Sequence, residues 1–304
     1  MDIRHLTYFI EVAKQKSFTK ASQVLCLSQP TLSKMVKNLE EALEVELLDR
    51  SSKKVVLTVA GEIVYKEGQK ILDSFEDLSS IVKDMMNLKK GKVKVGVPPL
   101  IAVLFFPKII REFRDLYPGI TIQLIEKSAD QVKQDVKDGT LDFGVDVLPV
   151  EGEFDVIPCI EEEMMLFVHS SSPFATKEEV SLIEIKDEPF VYFQEDSRLR
   201  QLVVQECRKL GFEPTISYES FNWDLICEMV AENLGISIFP KSVMKKVDPS
   251  KVKVIPIVNP PISWKLGIIL KKEKYVSYAT EEMIKYILNI FLPHCDERYQ
   301  KLLF

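Results

Sequence analysis

A chain of 304 residues is too long for one typical domain, and its 46% hydrophobic content is ample for packed cores, so two or three domains are expected. The formal net charge of −6 argues by itself against nucleic-acid binding, because such proteins present a basic surface to phosphate. Five scattered cysteines without C-x-x-C spacing indicate reduced thiols of a cytoplasmic protein. Nothing marks a pair among them, so buried, inert thiols are favoured over a redox sensor.

The first informative segment is an amphipathic helix that begins near residue 29. Ser28 is expected to cap it, and Pro30 falls in its first turn, where a missing N–H has no intrahelical partner to lose. Its apolar positions recur at intervals of three and four, which is typical of a helix buried on one side. These positions are Leu32, Met35, Val36, Leu39 and Leu43.

A second, shorter helical pattern lies directly upstream, with Ser17 as its expected cap. Because only residues 26–28 separate the two patterns, the helices must cross at a steep angle. This is the helix-turn-helix arrangement, whose second helix can enter the major groove of DNA. The apolar positions of the shorter helix are Phe18, Ala21, Val24 and Leu25.

The outer face of the second helix carries side chains suited to DNA. Gln, Ser and Thr can bond base edges, and Lys neutralises phosphate. A solvated helix face is the plainer alternative, but the apolar spacing, the cap and the turn length all agree with DNA binding. The predicted DNA-binding residues on this helix are Ser28, Gln29, Pro30, Thr31, Ser33, Lys34 and Lys37.

Residues 45–62 alternate enough to predict two short strands, which would form a wing beside the helices. Arg50 and Lys53 are expected at its tip or edge, where they would touch phosphate. For Lys54 the sequence does not separate phosphate contact from a solvated hairpin. Residues 1–60 hold nine Lys or Arg and seven Asp or Glu, so this segment carries +2 and the remainder −8. The basic excess therefore lies with the predicted DNA-binding motif.

Residues 9–62 resemble the winged helix-turn-helix of LysR-type transcriptional regulators. The motifs "SFTKAS", "LSQPTLSK", "LEEALEVELLDR" and "LTVAGE" occur in order and at the family's spacing. The resemblance extends over nearly the whole chain and is closest to the CidR-like regulators of carbon overflow metabolism. Glu44 stands where the family usually has Gly and would have to accept a positive φ, at a cost on the order of 1 kcal/mol. Leu48 replaces a common Phe, and neither change touches the DNA face.

Residues 60–88 contain no proline and predict one long helix. Its apolar residues follow the alternating 4-3 spacing of a heptad seam, which a small winged domain cannot bury by itself, so a second copy of the chain is the expected partner. Two-fold pairing also fits an inverted-repeat DNA site. The predicted dimerisation residues are Val64, Ile71, Phe75, Leu78 and Val82.

Beyond this helix, strands alternate with helices in two successive sets, which predicts a parallel α/β sheet. The predicted strands are residues 92–97, 120–126, 141–149, 162–169, 190–193, 215–219, 236–240 and 264–272. Two such lobes joined by crossing strands resemble the effector domain of LysR-type regulators, which is like a periplasmic solute-binding protein. The expected fold is thus α/β, with ligands bound in the crevice between the lobes at the carboxyl ends of strands. The expected domains are 1–59 for DNA binding, 60–90 for the linker and dimerisation helix, and 91–304 for the effector.

The family pattern places the first strand-to-helix loop of this crevice at residues 98–102, where such regulators often have Ser or Thr. This chain has Pro99 and Leu100 there, which leaves anion binding to the amides of the helix start. A small, rather apolar pocket for a small carboxylate such as acetate or pyruvate is predicted, although each residue taken singly fits ordinary packing. The predicted effector-binding residues are Pro99, Leu100, Ser128, Val147, Phe193, Asn222 and Trp223.

No enzyme motif competes with this interpretation, since G-x-S-x-G, H-E-x-x-H and a Gly-rich phosphate loop are missing. His169 beside three serines is interpreted as chance adjacency, and no cofactor or metal is predicted. Charged residues interrupt the N-terminal apolar ones, and the longest apolar run is too short for a bilayer, so no membrane contact is expected. We predict a DNA-binding regulator, as a homodimer or homotetramer, that responds to a small anionic metabolite. The alternative is a solute-binding or transferase protein with the same two lobes and no role in gene control.

Overall fold

The computed structural model describes residues 2–49, 55–85 and 90–291. The chain divides into two compact units, each with its own hydrophobic core. The first unit comprises Met1–Leu88 with Asp138–Thr140, and the second comprises Lys89–Lys137 with Leu141–Phe304.

The first unit contains the predicted pair of helices, a two-stranded hairpin and the predicted long helix. The hairpin is antiparallel, with Leu48 opposite Leu57, and confirms the two strands of the wing. Arg50, Lys53 and Lys54 lie outside the described residues. The elements are α1 (Ile3–Gln15), α2 (Phe18–Val24), α3 (Gln29–Leu43), β1 (Leu48–Asp49), β2 (Val56–Leu57) and α4 (Val59–Met85).

The core of this unit follows the predicted helical spacing, with two exceptions. Leu32, Val36 and Leu39 of α3 are fully buried and Met35 is half-buried. Leu43 is 37% exposed because it is the last residue of α3, so its assignment to the buried face is wrong. The same holds for Val24, which ends α2 and is exposed.

The start of α4 explains the "LTVAGE" motif. The Thr58 hydroxyl accepts a hydrogen bond from the Gly61 N–H at 2.9 Å and donates one to the Glu46 carbonyl at 2.7 Å. A Cβ on Gly61 would lie 2.0 Å from the Leu47 carbonyl oxygen, a separation that no side chain tolerates. Threonine therefore caps the helix, and glycine lets the helix approach the backbone that leads into β1.

The predicted heptad seam of α4 is divided between two environments. Val64 packs against the core of its own unit, and a Cβ on Gly68 would lie 2.7 Å from Leu6 Cδ1. The seam prediction is therefore corrected for Val64, which faces its own winged domain. Farther along the same face, Ile71, Leu78 and Val82 are 51%, 56% and 49% exposed, and Phe75 is also exposed.

The remaining strands and helices form the two-lobed part of the chain, together with short 3₁₀ helices at Pro173–Thr176, Leu182–Ile185 and Lys241–Lys246. They are β3 (Gly91–Val97), α5 (Pro99–Leu116), β4 (Ile120–Glu126), α6 (Ala129–Asp138), β5 (Phe143–Val147), β6 (Phe154–His169), β7 (Val180–Ser181), β8 (Pro189–Phe193), α7 (Arg198–Lys209), β9 (Thr215–Ser220), α8 (Trp223–Ala231), β10 (Ser237–Pro240), β11 (Val252–Val258), β12 (Ser263–Lys271) and α9 (Tyr278–Phe291).

The main sheet has the order β4-β3-β5-β12-β6-β11-β7, with β10 also paired to β6. Strand β3 runs parallel to β4 and β5, and β8 runs parallel to β9, as predicted. However, β12 is antiparallel to both β5 and β6, so the sheet is mixed and the prediction of a parallel sheet is wrong at its centre.

Strand β6 carries the chain from one lobe to the other. Its residues 154–163 pair with β12, and its residues 164–169 pair with β10 and β11. We use first lobe for β3–β5 with α5 and α6, and second lobe for β7–β11 with α7 and α8. The predicted crossing strands are thus β6 and β12.

The described residues contain no helix that is long and apolar enough to cross a membrane. Within the same ranges, no cluster of three or more His, Cys, Asp or Glu side chains could hold a metal ion.

Candidate DNA interface and effector pocket

The first turn of α3 is held by the predicted cap. Ser28 Oγ accepts a hydrogen bond from the Thr31 N–H at 3.3 Å and lies 2.7 Å from Thr31 Oγ1. Pro30 occupies the first turn, where its fixed φ suits the helix. This end of α3 is therefore ordered locally, by side chains that are themselves exposed.

The outer face of α3 presents the predicted polar residues to solvent. Gln29, Thr31, Lys34 and Lys37 are exposed and Ser33 is half-buried. Lys37 forms an i,i+4 ion pair with Glu41, with 3.5 Å between Nζ and Oε1 and both side chains largely exposed. An ion pair this exposed stabilises the protein little, so Lys37 remains available to phosphate.

A buried carboxylate that the sequence prediction missed connects α3 to the wing. Glu40 accepts hydrogen bonds from the N–H groups of Leu47 and Leu48, at 2.9 and 3.2 Å. These two amides lie at the start of β1, so Glu40 fixes the wing relative to α3. The sequence feature that could have revealed this buried carboxylate is the position of Glu40 next to Leu39, on the apolar side of an amphipathic helix.

The two departures from the family pattern have different consequences. Glu44 adopts φ 54° and ψ 33°, which confirms the predicted left-handed conformation after α3. Leu48 is buried in the core of the winged domain, where it takes an apolar position. Both residues leave the outer face of α3 unchanged.

A cavity of about 210 Å³ lies in the crevice between the two lobes. It brings together six of the seven predicted effector residues, and its lining is mostly apolar. The residues from the prediction are Pro99, Leu100, Ser128, Val147, Phe193 and Trp223.

Asn222 is the exception and does not line the cavity. It is the exposed N-cap residue of α8, its side chain makes no capping hydrogen bond, and its backbone N–H donates to Ser220 Oγ at 3.0 Å. Its neighbours Phe221 and Trp223 line the cavity instead. The prediction for Asn222 is corrected accordingly.

The predicted loop at residues 98–102 is almost entirely helical. Helix α5 begins at Pro99, with Pro98 as its N-cap residue. Because neither proline has an N–H, the first amides that this helix start can offer belong to Leu100 and Ile101. The starts of α6, α7 and α8 reach the same cavity through Ala129, Arg198 and Trp223.

The charged residues of the cavity were not predicted from the sequence. Asp146 is buried and accepts a hydrogen bond from the Val147 N–H at 2.7 Å, while burial raises its pKa above the usual range for a carboxyl. Asp196 is exposed at the rim. Arg198 supplies a guanidinium group at the first residue of α7.

One further cavity residue is a buried hydrogen-bond donor. Trp264 is 1% exposed and stacks on Phe105, with 6.2 Å between the ring centroids. Among the described residues its indole N–H has no acceptor. A buried donor without a partner costs about 1–3 kcal/mol.

His169 does contact a serine, contrary to the expectation of mere adjacency in sequence. Its Nδ1 lies 2.7 Å from Ser171 Oγ and accepts a hydrogen bond from the Ser171 N–H at 3.2 Å. Both bonds are local to the turn after β6, and Ser171 is exposed. The pair caps a turn and lies outside the cavity.

Three of the cysteines match the expectation of inert thiols. Cys159, Cys207 and Cys227 are buried, and burial raises the pKa of each thiol to about 12. They are therefore protonated and poorly nucleophilic at neutral pH. Cys26 differs because it is exposed in the turn between α2 and α3. Cys295 lies outside the described residues.

Comparisons with known proteins agree with this architecture. The model of the bacterial regulatory helix-turn-helix protein, lysR family, matches residues 3–62, and that of the LysR substrate binding domain matches residues 87–291. The HTH-type transcriptional regulator YwbI of Bacillus subtilis is 49% identical over 287 residues, which cover 94% of this chain and 95% of YwbI.

Solved structures share the fold. A full-length OxyR variant from Pseudomonas aeruginosa is 25% identical, with a TM-score of 0.74 and coverage of 95% of this chain and 94% of OxyR. CbnR complexed with its target DNA is 22% identical, with a TM-score of 0.75 and coverage of 94% and 99%. The predicted winged helix-turn-helix and the two-lobed, periplasmic-binding-protein-like effector domain are thus confirmed.

The chain belongs to the LysR family of transcriptional regulators. It binds DNA through the helix-turn-helix and a small-molecule effector through the substrate-binding domain. Nothing in these comparisons favours the alternative of a two-lobed protein without a role in gene control.

Proposed function

We propose that this regulator recognises an inverted-repeat promoter site as a homodimer or homotetramer and responds to a small carboxylate. The cytoplasm is the proposed location, and the CidR-like subgroup is the proposed place within the family. The observation that carries the effector proposal is the small, mostly apolar cavity onto which four helix starts converge. The three-part division at residues 59/60 and 90/91 belongs to the same proposal.

The outer face of α3 is proposed to read the major groove. Gln29 and Thr31 lie in its first turn, the part of a recognition helix that reaches base edges. Lys34 and Lys37 lie one and two turns farther on and are proposed to contact phosphate. Arg50 and Lys53 are proposed as further phosphate contacts from the wing.

Alanine substitutions on α3 should separate these two roles. Lys34→Ala or Lys37→Ala should weaken binding to all sequences alike and reduce the dependence of affinity on salt, because one phosphate contact is lost. Gln29→Ala or Thr31→Ala should instead relax the base preference, at about 1–3 kcal/mol per lost base contact. The measurement is a fluorescence anisotropy titration with a promoter fragment recovered by chromatin immunoprecipitation, at several salt concentrations.

Lys246→Ala, in the second lobe, is the control for loss of an exposed lysine. It should leave affinity and salt dependence unchanged. Promoter affinity that stays unaltered in all four α3 variants would contradict the groove assignment.

A small carboxylate suits the cavity for two reasons. The volume is below the range of about 300–1,000 Å³ that holds drug-sized ligands, which favours an effector smaller than those. The helix starts offer N–H groups and a partial positive charge to an anion. A sugar would leave several hydroxyl groups unpaired against the apolar lining, at about 1–3 kcal/mol each.

The buried Asp146 is an acidic group on the wall of the cavity. Burial raises the pKa of its carboxyl, while the Val147 N–H that donates to it acts in the opposite direction. Lys133 and Arg198 are the positive groups whose fields act on Asp146 in the opposite direction, and Asp130 adds to the effect of burial.

Trp223→Ala should weaken carboxylate binding by about tenfold or more, because it removes a large apolar wall from a small cavity. Calorimetry with acetate and with pyruvate on the full chain measures this. Promoter binding without effector should not change, since Trp223 lies outside the winged domain.

Tyr218→Ala is the matched control, because Tyr218 is a partly exposed aromatic residue on β9 that does not line the cavity. It should leave carboxylate affinity intact. Full affinity in the Trp223 variant, or selective binding of a neutral polyol, would show that the site or its chemistry is wrong.

A further inference from the structure

A single cationic side chain lines the cavity among the residues that the structure describes, and it belongs to Arg198. Arg198 is the first residue of α7, so its side chain and the amides of that helix start lie on the same side of the crevice. A guanidinium group binds a carboxylate with two parallel hydrogen bonds, which a helix start by itself cannot do.

Arg198 is already engaged with a carboxylate of the chain itself. Its Nη2 lies 3.2 Å from Asp130 Oδ1, and its Nη1 donates to Gln201 Oε1 at 3.2 Å. Asp130 belongs to α6 in the first lobe and Arg198 to α7 in the second, so this ion pair spans the crevice.

Asp130 has a second and closer partner. Lys133 Nζ lies 2.7 Å from the same Oδ1 atom, and this hydrogen bond is the largest cause that lowers the pKa of Asp130. If Arg198 turned away, Asp130 would remain ionised and paired with Lys133. The loss of Arg198 therefore leaves no uncompensated charge at Asp130.

We propose that the effector carboxylate exchanges with Asp130 for Arg198. Arg198 is the residue that recognises the carboxylate, and Asp130 is its internal competitor, which lowers the apparent affinity for the effector. The Arg198 side chain is 35% exposed and that of Asp130 is 68% exposed, so the existing pair is weak compared with one formed inside the apolar cavity. This inference rests on the proposed carboxylate effector.

The exchange has a consequence for the arrangement of the lobes. Binding breaks the Asp130–Arg198 link between α6 and α7, so occupancy of the cavity is coupled to a contact that joins the two lobes. A neutral ligand of the same shape would not compete for Arg198 and would leave this link in place.

The test is a double-mutant cycle on the full chain, with pyruvate and acetate as probes and calorimetry as the readout. Arg198→Gln should weaken both carboxylates by about tenfold or more. Asp130→Asn should tighten both by about two- to fivefold, because the competing pair is an exposed one. In the Arg198→Gln background, Asp130→Asn should have no further effect, since there is no guanidinium group left to compete for.

Asp196→Asn is the matched control, because it removes one negative charge at the cavity, and Asp196 has no ion pair with Arg198 among the described residues. It should change the affinity less than Asp130→Asn does. Acetamide, the neutral counterpart of acetate, should bind the parent chain and the Arg198→Gln variant equally weakly. Thermal melting of each variant verifies that the effector domain is folded.

The outcomes separate this inference from the proposed function. Carboxylate binding by the parent chain together with unchanged affinity in Arg198→Gln overturns the role of Arg198 and leaves the carboxylate proposal standing. The proposed competition by Asp130 is overturned if Asp130→Asn and Asp196→Asn raise the carboxylate affinity equally. It is also overturned if Asp130→Asn raises this affinity in the Arg198→Gln background. If the parent chain binds neither pyruvate nor acetate, the proposed effector class falls and this assignment falls with it.

Discussion

Replacing Ile71 and Leu78 together with Asp should convert the regulator into a monomer and abolish binding to its inverted-repeat site. Both side chains are more than half exposed on α4 and follow the seam spacing. In a paired seam the double substitution would bury four carboxylates per dimer, at a cost on the order of several kcal/mol per ion. Sedimentation velocity measures the assembly, and anisotropy with the promoter fragment measures operator binding.

The monomer should remain folded, because neither side chain contributes to the core of its own unit. Far-UV circular dichroism should therefore match that of the parent chain. Gln69→Asp is the control, since it places a charge on the opposite side of α4 and should leave the assembly intact. An intact dimer in the double variant would contradict the seam.

The seam also shows what periodicity can and cannot predict. A heptad pattern indicates which face of a helix is apolar, and it correctly indicates such a face on α4. It does not indicate which surface packs against this face. The winged domain covers it at Val64 and Gly68, and it becomes exposed from Ile71 onward. That division depends on where α1 lies against α4, and the spacing of apolar residues does not encode it.

The strands were predictable where the pattern was uninterrupted. Residues 120–126 were predicted as a strand, and β4 has the same bounds. Residues 154–161 of β6 and all of β11 were missed, because Pro158 and Pro256 interrupt the strand pattern. In this segment, hydrogen bonding to a neighbouring strand determines the structure, since β6 pairs with β12 from Phe154 to Glu163 despite the interruption.

The cavity was predictable from topology and its charges were not. The carboxyl ends of parallel strands meet at one edge of a sheet, so residues after β3 and β5 could be placed near one another from their position in the sequence. The Asp130–Arg198 pair joins residues that are far apart in the sequence and lie on different lobes. No periodicity links such residues, and a single sequence gives no sign that they meet.

Gly61→Ala should destabilise the winged domain, although helix propensity predicts the opposite sign. In the interior of an exposed helix, Ala is favoured over Gly by about 1 kcal/mol. Here the new Cβ would lie 2.0 Å from the Leu47 carbonyl oxygen, so the backbone itself would have to move. Forcing extra volume into a packed site costs about 1–3 kcal/mol or more, which outweighs the gain in propensity.

Gly68→Ala is the matched control on the same helix, because its Cβ would meet the end of the flexible Leu6 side chain at 2.7 Å instead of backbone. It should cost less than Gly61→Ala. Both tryptophans, Trp223 and Trp264, belong to the second unit, so denaturation followed by their fluorescence reports on that unit. Gly61→Ala should therefore lower the midpoint of the helical transition seen by circular dichroism and leave the fluorescence transition in place. A Gly61→Ala variant as stable as the parent chain would show that the approach of α4 to Leu47 is looser than the contact distance requires.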